Sequence, residues 1–139
     1  MQLYSFLYTD RFTFFKRKYI NRDNAYSELS SNEVSFKPLR LEEINAIYNE
    51  SRIIVDFSSV SQTGLSMRTV EALGHRCKLV TNNAYVRQAD FYDNNNVYIY
   101  DDKFNLPIEF IKTEYKEIPE TIYKYYSLKG WLESIIDAV

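Results

Sequence analysis

Between Arg52 and Asn83 the chain reads RIIVDFSSVSQTGLSMRTVEALGHRCKLVTNN. Thr63, Gly64, Leu65, Ser66, Arg68, Thr69 and Glu71 crowd into nine residues of it. If a helix starts at Leu65, its first turn presents free backbone N–H groups and the positive end of the helix dipole. A diphosphate suits such a place, with the Ser66 or Thr69 hydroxyl and the Arg68 guanidinium as further donors. Glu71 follows Arg68 by three residues and Gly64 by seven. A carboxylate there can accept two hydrogen bonds from the vicinal hydroxyls of a ribose.

The flanking pattern supplies the elements that would position these groups. Arg52–Phe57 is a continuous run rich in β-branched residues, as in a buried parallel strand. Ser58–Thr63 is a polar loop, Leu65–Leu73 has helical character, and Gly74 suits the C′ position. Lys78–Thr81 is the next strand, Asn82–Asn83 a turn, Ala84–Tyr92 helical, and Val97–Tyr100 a further strand. Upstream, Leu41–Asn49 places Leu41, Ile44, Ile47 and Tyr48 at helical spacing, with Glu42 and Glu43 in the first turn. Met1–Thr9 and Val34–Phe36 are strand candidates, and Arg11–Asn21 is ambiguous between helix and loop. Asn24–Asn32 is polar and turn-like. Pro107–Glu114 and Ile122–Tyr126 are short helix candidates, and Ser127 caps a helix over Leu128–Ala138. Strands alternating with helices predict an α/β, Rossmann-like fold with a mostly parallel sheet and helices on both faces. Ligands of such sheets sit beyond the carboxyl ends of the strands, which points to Ser58–Gly64, Asn82–Ala84 and Asp101–Lys103.

A length of 139 residues fits one ordinary domain, so a single unit over 1–139 is expected. Hydrophobic residues at 45% and charged residues at 26% exclude a disordered chain. Seventeen basic against nineteen acidic residues argue against a global grip on nucleic acid. Only three glycines are present, and neither the P-loop nor the dinucleotide fingerprint occurs. Phosphate binding must therefore use a helix start without a glycine cradle. Cys77 is the single cysteine, so no internal disulfide forms, and one Cys with one His cannot supply a zinc site. Its neighbours Arg76 and Lys78 are of the kind that lower a thiol pKa, yet nothing around it suggests a nucleophile. His75 is expected at the last carbonyls of its helix. No apolar run is long enough to span a bilayer, and Met1–Asp10 does not read as a secretory signal.

The segment Arg52–Asn83 resembles the donor-binding half of bacterial GT-B-fold glycosyltransferases of capsule, exopolysaccharide and lipopolysaccharide assembly. In that family a strand and polar loop lead to Gly-Leu, a helix carrying Glu-Ala, a Gly and a strand. Here these are Gly64-Leu65, Glu71-Ala72, Gly74 and Lys78–Thr81. Asp90-Phe91-Tyr92, Asn95-Asn96-Val97, Tyr126-Ser127-Leu128 and Trp131-Leu132 also look like the tail of such domains. The chain departs from the pattern at Thr63, where many retaining members carry a second Glu, and in two added residues between Gly-Leu and Glu. The resemblance implies half of a GT-B fold, a nucleoside diphosphate sugar as substrate, no metal and no other cofactor. It further implies an N-terminal acceptor domain or subunit as partner and a cytoplasmic place of work, so the chain is expected to be a fragment or separate half. Thr63, Gly64, Leu65, Ser66, Arg68, Thr69 and Glu71 would hold the donor, with Arg68 and the helix dipole stabilising the leaving diphosphate.

Plainer readings of the same residues stand beside these. Glu71 and Arg68 suit a solvated helix face, Gly64 suits a turn, and Ser58, Ser59, Ser61 and Thr63 suit a polar loop. Arg11, Lys16, Arg17, Lys18 and Arg22 interleave with Phe12, Phe14, Phe15 and Tyr19. That cluster fits an anionic membrane surface or an amphipathic crossover with its charges in water. Asp56, Thr81 and Lys103 at successive strand ends also have the spacing of a receiver-type phosphoacceptor domain, for which Asp10 would be the only acid after the first strand. A non-catalytic module that binds a nucleotide or partner is the third alternative.

Overall fold

The computed structural model describes residues 3–58, 62–100 and 105–137. The architecture is mixed α/β with two small parallel sheets and several helices, consistent with the Rossmann-like class. The chain divides into two compact units, Met1–Ile44 and Asn45–Val139.

In the first unit, β1 (Leu7–Tyr8) pairs in parallel with β2 (Val34–Ser35). The strand expected over Met1–Thr9 is thus shorter, and its first two residues lie outside the described ones. Helix α1 (Arg11–Phe15) starts at Asp10, whose carboxylate accepts the Thr13 amide at 2.8 Å. That acceptor satisfies one of the orphan N–H groups of the first turn. The helix then widens into a π-helical turn over Lys16–Ile20, closed by the Asn21 amide on the Lys16 carbonyl at 2.9 Å. The ambiguous segment is therefore helical, and Phe14 is its inward residue. Phe14 is 1% exposed and meets Phe15 and Phe36 edge-on at 5.8 and 5.6 Å. Asn24–Ser27, expected as a turn, forms the short helix α2, capped by the Asp23 carboxylate.

Helix α3 (Leu41–Glu50) leads into β3 (Ile53–Asp56), α4 (Met67–Gly74) and β4 (Lys78–Thr81). A 3-10 turn over Ala84–Gln88 and strand β5 (Val97–Ile99) follow. Strands β3, β4 and β5 lie side by side in that order, all parallel, with Asp56 opposite Thr81 and Thr81 opposite Ile99. All four residues of the central strand are buried, as a strand covered on both faces requires. The helix expected over Ala84–Tyr92 contracts to the 3-10 turn, whose start is set by the Asn83 side chain accepting the Tyr85 amide at 3.0 Å.

Helix α4 begins at Met67, not Leu65, because Ser66 takes the N-cap: its Oγ accepts the Thr69 amide at 3.0 Å. Its other end also differs from expectation. Gly74 is the last helical residue, and Arg76 adopts the left-handed conformation at φ 54°. The Cys77 amide donates to Ala72 O and the Arg76 amide to Leu73 O, the Schellman pattern with arginine where glycine is usual. A side chain meets strain of roughly 1–2 kcal/mol there, and the guanidinium makes its own contacts beside the helix end. It reaches Glu117 at 2.8 Å and Glu120 at 2.5 Å and lies 4.7 Å from the Tyr123 ring. Helices α5 (Ile108–Lys112), α6 (Glu120–Tyr125) and α7 (Leu128–Ile136) complete the unit, the last capped by Ser127 as predicted. Among the described residues, no helix is long and apolar enough to cross a membrane.

Candidate functional site

At the carboxyl ends of β3 and β4 the polar side chains form one connected set around Asp56. This carboxylate is 7% exposed and lies where the strand gives way to loop. Its Oδ2 accepts the Ser66 hydroxyl at 2.6 Å and the Ser58 hydroxyl at 3.1 Å, and Arg68 Nε stands 3.8 Å from Oδ1. A buried carboxylate needs such partners for its oxygens. Through Oδ2, Asp56 anchors the start of α4 to the end of β3. Asp10, the other acid considered for a receiver, caps α1. Lys103, with the Asp101–Lys103 loop, lies outside the described residues, as do Ser59 and Ser61.

Two asparagines that the spacing of charged residues did not single out as ligands shape the same edge. The Asn82 side chain accepts the Ser58 amide at 2.8 Å and donates to the Ser58 carbonyl at 2.9 Å. Asn83 is 5% exposed, its side chain donates to the Gly64 carbonyl at 2.7 Å, and its backbone amide donates to Thr81 Oγ1 at 3.1 Å. The loops after β3 and β4 are thereby tied together. Gly64 turns the chain at φ 89°, a conformation that disfavours any side chain. Asn-Asn directly after a strand was the available signal, since asparagine side chains pair readily with nearby backbone.

The predicted donor-binding residues separate into two groups on this framework. Ser66 and Thr69 are buried, bonded to each other at 2.9 Å, and belong to the cap of α4. Leu65 is half-buried, while Thr63, Gly64 and Arg68 are exposed. Arg68 extends from the first turn of α4 with its side chain 52% exposed, held by Asp56 only at the long distance already given. The amides of Met67 and Arg68 precede the capped Thr69 amide and have no place in the helical ladder. Positive charge and the first-turn amides of α4 thus coincide at one rim of the sheet.

Glu71 is half-buried one turn further on, and its Oε2 accepts the Tyr48 hydroxyl at 2.9 Å. It is therefore a fixed carboxylate and not a freely solvated one. Tyr48 is buried on α3, and its phenol is pushed up to about 12, first by burial and then by this bond to Glu71. Tyr48 was foreseen only as a residue of the apolar helix stripe; a phenol next to a helix carboxylate leaves no trace in spacing. His75 lies edge-on to the Tyr48 ring at 5.2 Å, and its Nδ1 is 2.9 Å from Asn49 Oδ1. Its ring therefore engages α3, and only its amide closes α4. Burial pushes the Cys77 thiol up despite its basic neighbours, and Sγ donates to Ser51 O at 3.0 Å.

A concavity of about 230 Å³ lies at the other end of α4, lined by residues including Val70, Arg76, Tyr123 and Tyr126. Its arginine is already clasped by Glu117 and Glu120, so it brings no uncommitted charge to a ligand. Among the described residues, no group of three or more His, Cys, Asp and Glu side chains is placed to hold a metal ion. Comparisons with family models, with curated proteins and with solved structures find no match for this chain.

Proposed function

We propose that the edge formed by the ends of β3 and β4 binds a nucleoside diphosphate sugar. In this reading the chain is the donor-binding part of a glycosyltransferase acting in surface polysaccharide biosynthesis. The observation that supports it is Arg68: an exposed, loosely held guanidinium beside the first-turn amides of an α4 start that Ser66 and Asp56 hold rigid. A diphosphate placed there gains charge-assisted bonds from Arg68 and the favourable end of the helix dipole. As the glycosidic bond breaks, the same groups stabilise the charge that grows on the leaving diphosphate. Glu71, with Oε2 fixed by Tyr48, offers Oε1 to a ribose hydroxyl. Gly64 and Thr63 shape the rim. The acceptor, and with it the group that would activate the acceptor hydroxyl, is assigned to a partner domain or subunit.

A thermal-shift panel of UDP, GDP and CMP on the full chain tests the reading. A ligand at a hundred times its Kd stabilises the folded state by about 2.7 kcal/mol, a shift of several degrees. One of the three nucleotides is expected to give that shift at millimolar concentration. Arg68→Ala is expected to weaken it at least about tenfold, and Glu71→Ala to weaken it less. No stabilisation of the wild type by any of them would refute the proposal.

A further inference from the structure

At α1 and the π-helical turn after it, exposed apolar side chains interleave with cations. Residues 11–22 contain five cations and no acid, within a chain whose net charge is −2. Lys18 is turned inward, donating to the Leu29 carbonyl and lying 5.6 Å from the Phe14 ring. Arg11, Lys16, Arg17 and Arg22 remain exposed. Phe12 is 76% exposed, Phe15 52%, Tyr19 62% and Ile20 74%, while Phe14 on the same helix is buried. Apolar side chains of this size are thus spent on solvent in a helix that has one ring in the core. An exposed apolar patch interleaved with cations marks an interaction surface.

From this juxtaposition we infer that the Arg11–Arg22 segment docks on an anionic phospholipid surface. Two features favour lipid over a nucleic acid. Phe15 and Tyr19 lie nearly parallel at 5.7 Å with an interplanar angle of 20°, so one face of each ring is taken by the other and only the outer faces are left for a base. Ile20 and Phe12, the most exposed of the four, offer aliphatic and ring surface that gains from leaving water, whatever the partner's hydrogen bonds. Inserted at the headgroup boundary, the rings and Ile20 lose contact with water while Lys16 and Arg22 face lipid phosphates, joined by Arg11 from over the Phe36 ring and by Arg17, whose guanidinium is 3.8 Å from Asp23 and lies over Tyr26. Each cation near such a surface is worth about a fivefold change in partition. The inference stands on the first unit alone and is independent of the nucleotide reading.

Vesicle flotation of the full chain tests it, using equal parts phosphatidylglycerol and phosphatidylcholine against phosphatidylcholine alone. The wild type is expected to float with the anionic vesicles at low salt, and to be released in part at about 1 M salt, where the screening length falls to roughly 3 Å. Lys16→Glu is expected to weaken partition by at least about fivefold, and Phe12→Ser with Ile20→Ser to abolish it. All three positions are exposed, and circular dichroism checks that each variant is folded; Lys16→Glu keeps the test decisive if the double variant is not. Equal flotation with both vesicle types, or flotation of the folded variants like the wild type, overturns the inference. So does retention by single-stranded oligonucleotide without flotation, which would assign the surface to nucleic acid.

Discussion

The Ser66 hydroxyl donates to Asp56 Oδ2 at 2.6 Å and accepts the Thr69 amide at 3.0 Å, so one side chain caps α4 and ties it to the end of β3. Neither role is available to the other without it. A cap alone would leave the buried Asp56 short of a donor, and a bond to Asp56 alone would leave the helix start open. The position of Arg68 at the rim follows from this link, because the first turn of α4 cannot rotate while Ser66 holds it.

Ser66→Ala therefore removes two interactions at once. Loss of a helix cap costs about 1 kcal/mol, and a buried acceptor deprived of its donor costs about 1–3 kcal/mol. Urea unfolding is expected to show a loss of roughly 2–3 kcal/mol, with Ser66→Thr retaining most of it. A Ser66→Ala midpoint equal to that of the wild type would show that the hydroxyl does not hold the helix.

Gly130 sits against the chain reversal between α6 and α7. A Cβ added there would collide with the Lys124 carbonyl oxygen and come within 2.9 Å of the Tyr125 carbonyl oxygen. Backbone atoms cannot step aside as a flexible side chain can, and overpacking of this kind costs about 1–3 kcal/mol or more. Gly130→Ala is expected to melt or displace α7, which would be read as faster amide exchange over Leu128–Ile136. Unchanged exchange across that helix would contradict the close approach.

Tyr48 links stability to alkaline pH. Its phenol keeps its proton in the folded state up to about 12, against an ordinary value near 10. A raised folded value stabilises fully below pH 10, and that contribution is lost as pH rises from 10 through 12. Tyr48→Phe is expected to flatten this part of the stability profile. In the folded protein, the difference in tyrosinate absorbance between wild type and Tyr48→Phe is expected to titrate near pH 12, moving to near 10 on unfolding. A difference that titrates near 10 without unfolding would mean that the hydroxyl is neither buried nor held by Glu71.

Much of the second unit was legible before folding. The run Arg52–Phe57 has no polar alternation until Asp56 and forms β3 over Ile53–Asp56, but only Ile54 and Asp56 are buried there, Ile53 and Val55 being half-buried at the end of the order β3-β4-β5. Lys78–Thr81 matches β4 residue for residue, and Ser127 caps α7. Boundaries were less legible where side chains competed with the backbone. Ser66 moved the start of α4 two residues along by capturing an amide, and Arg76 took the turn that Gly74 suggested. The first unit was the least legible, because periodicity cannot distinguish an α-helix from one that widens to a π-helical turn at Lys16–Ile20.

For the candidate site the division follows from the range of the interactions. The sequence by itself determined the strand, the glycine turn at Gly64, the helix and the presence of Arg68 and Glu71 within one helical segment, since these depend on neighbours a few residues apart. Tertiary structure alone decided that Ser66 and Thr69 turn inward, that Asn83 reaches back to Gly64, and that Tyr48 fixes Glu71 across a separation of 23 residues. Those pairings depend on which faces α3, α4 and the sheet present to one another, and hydrophobic packing sets those faces only when the chain has closed around its core.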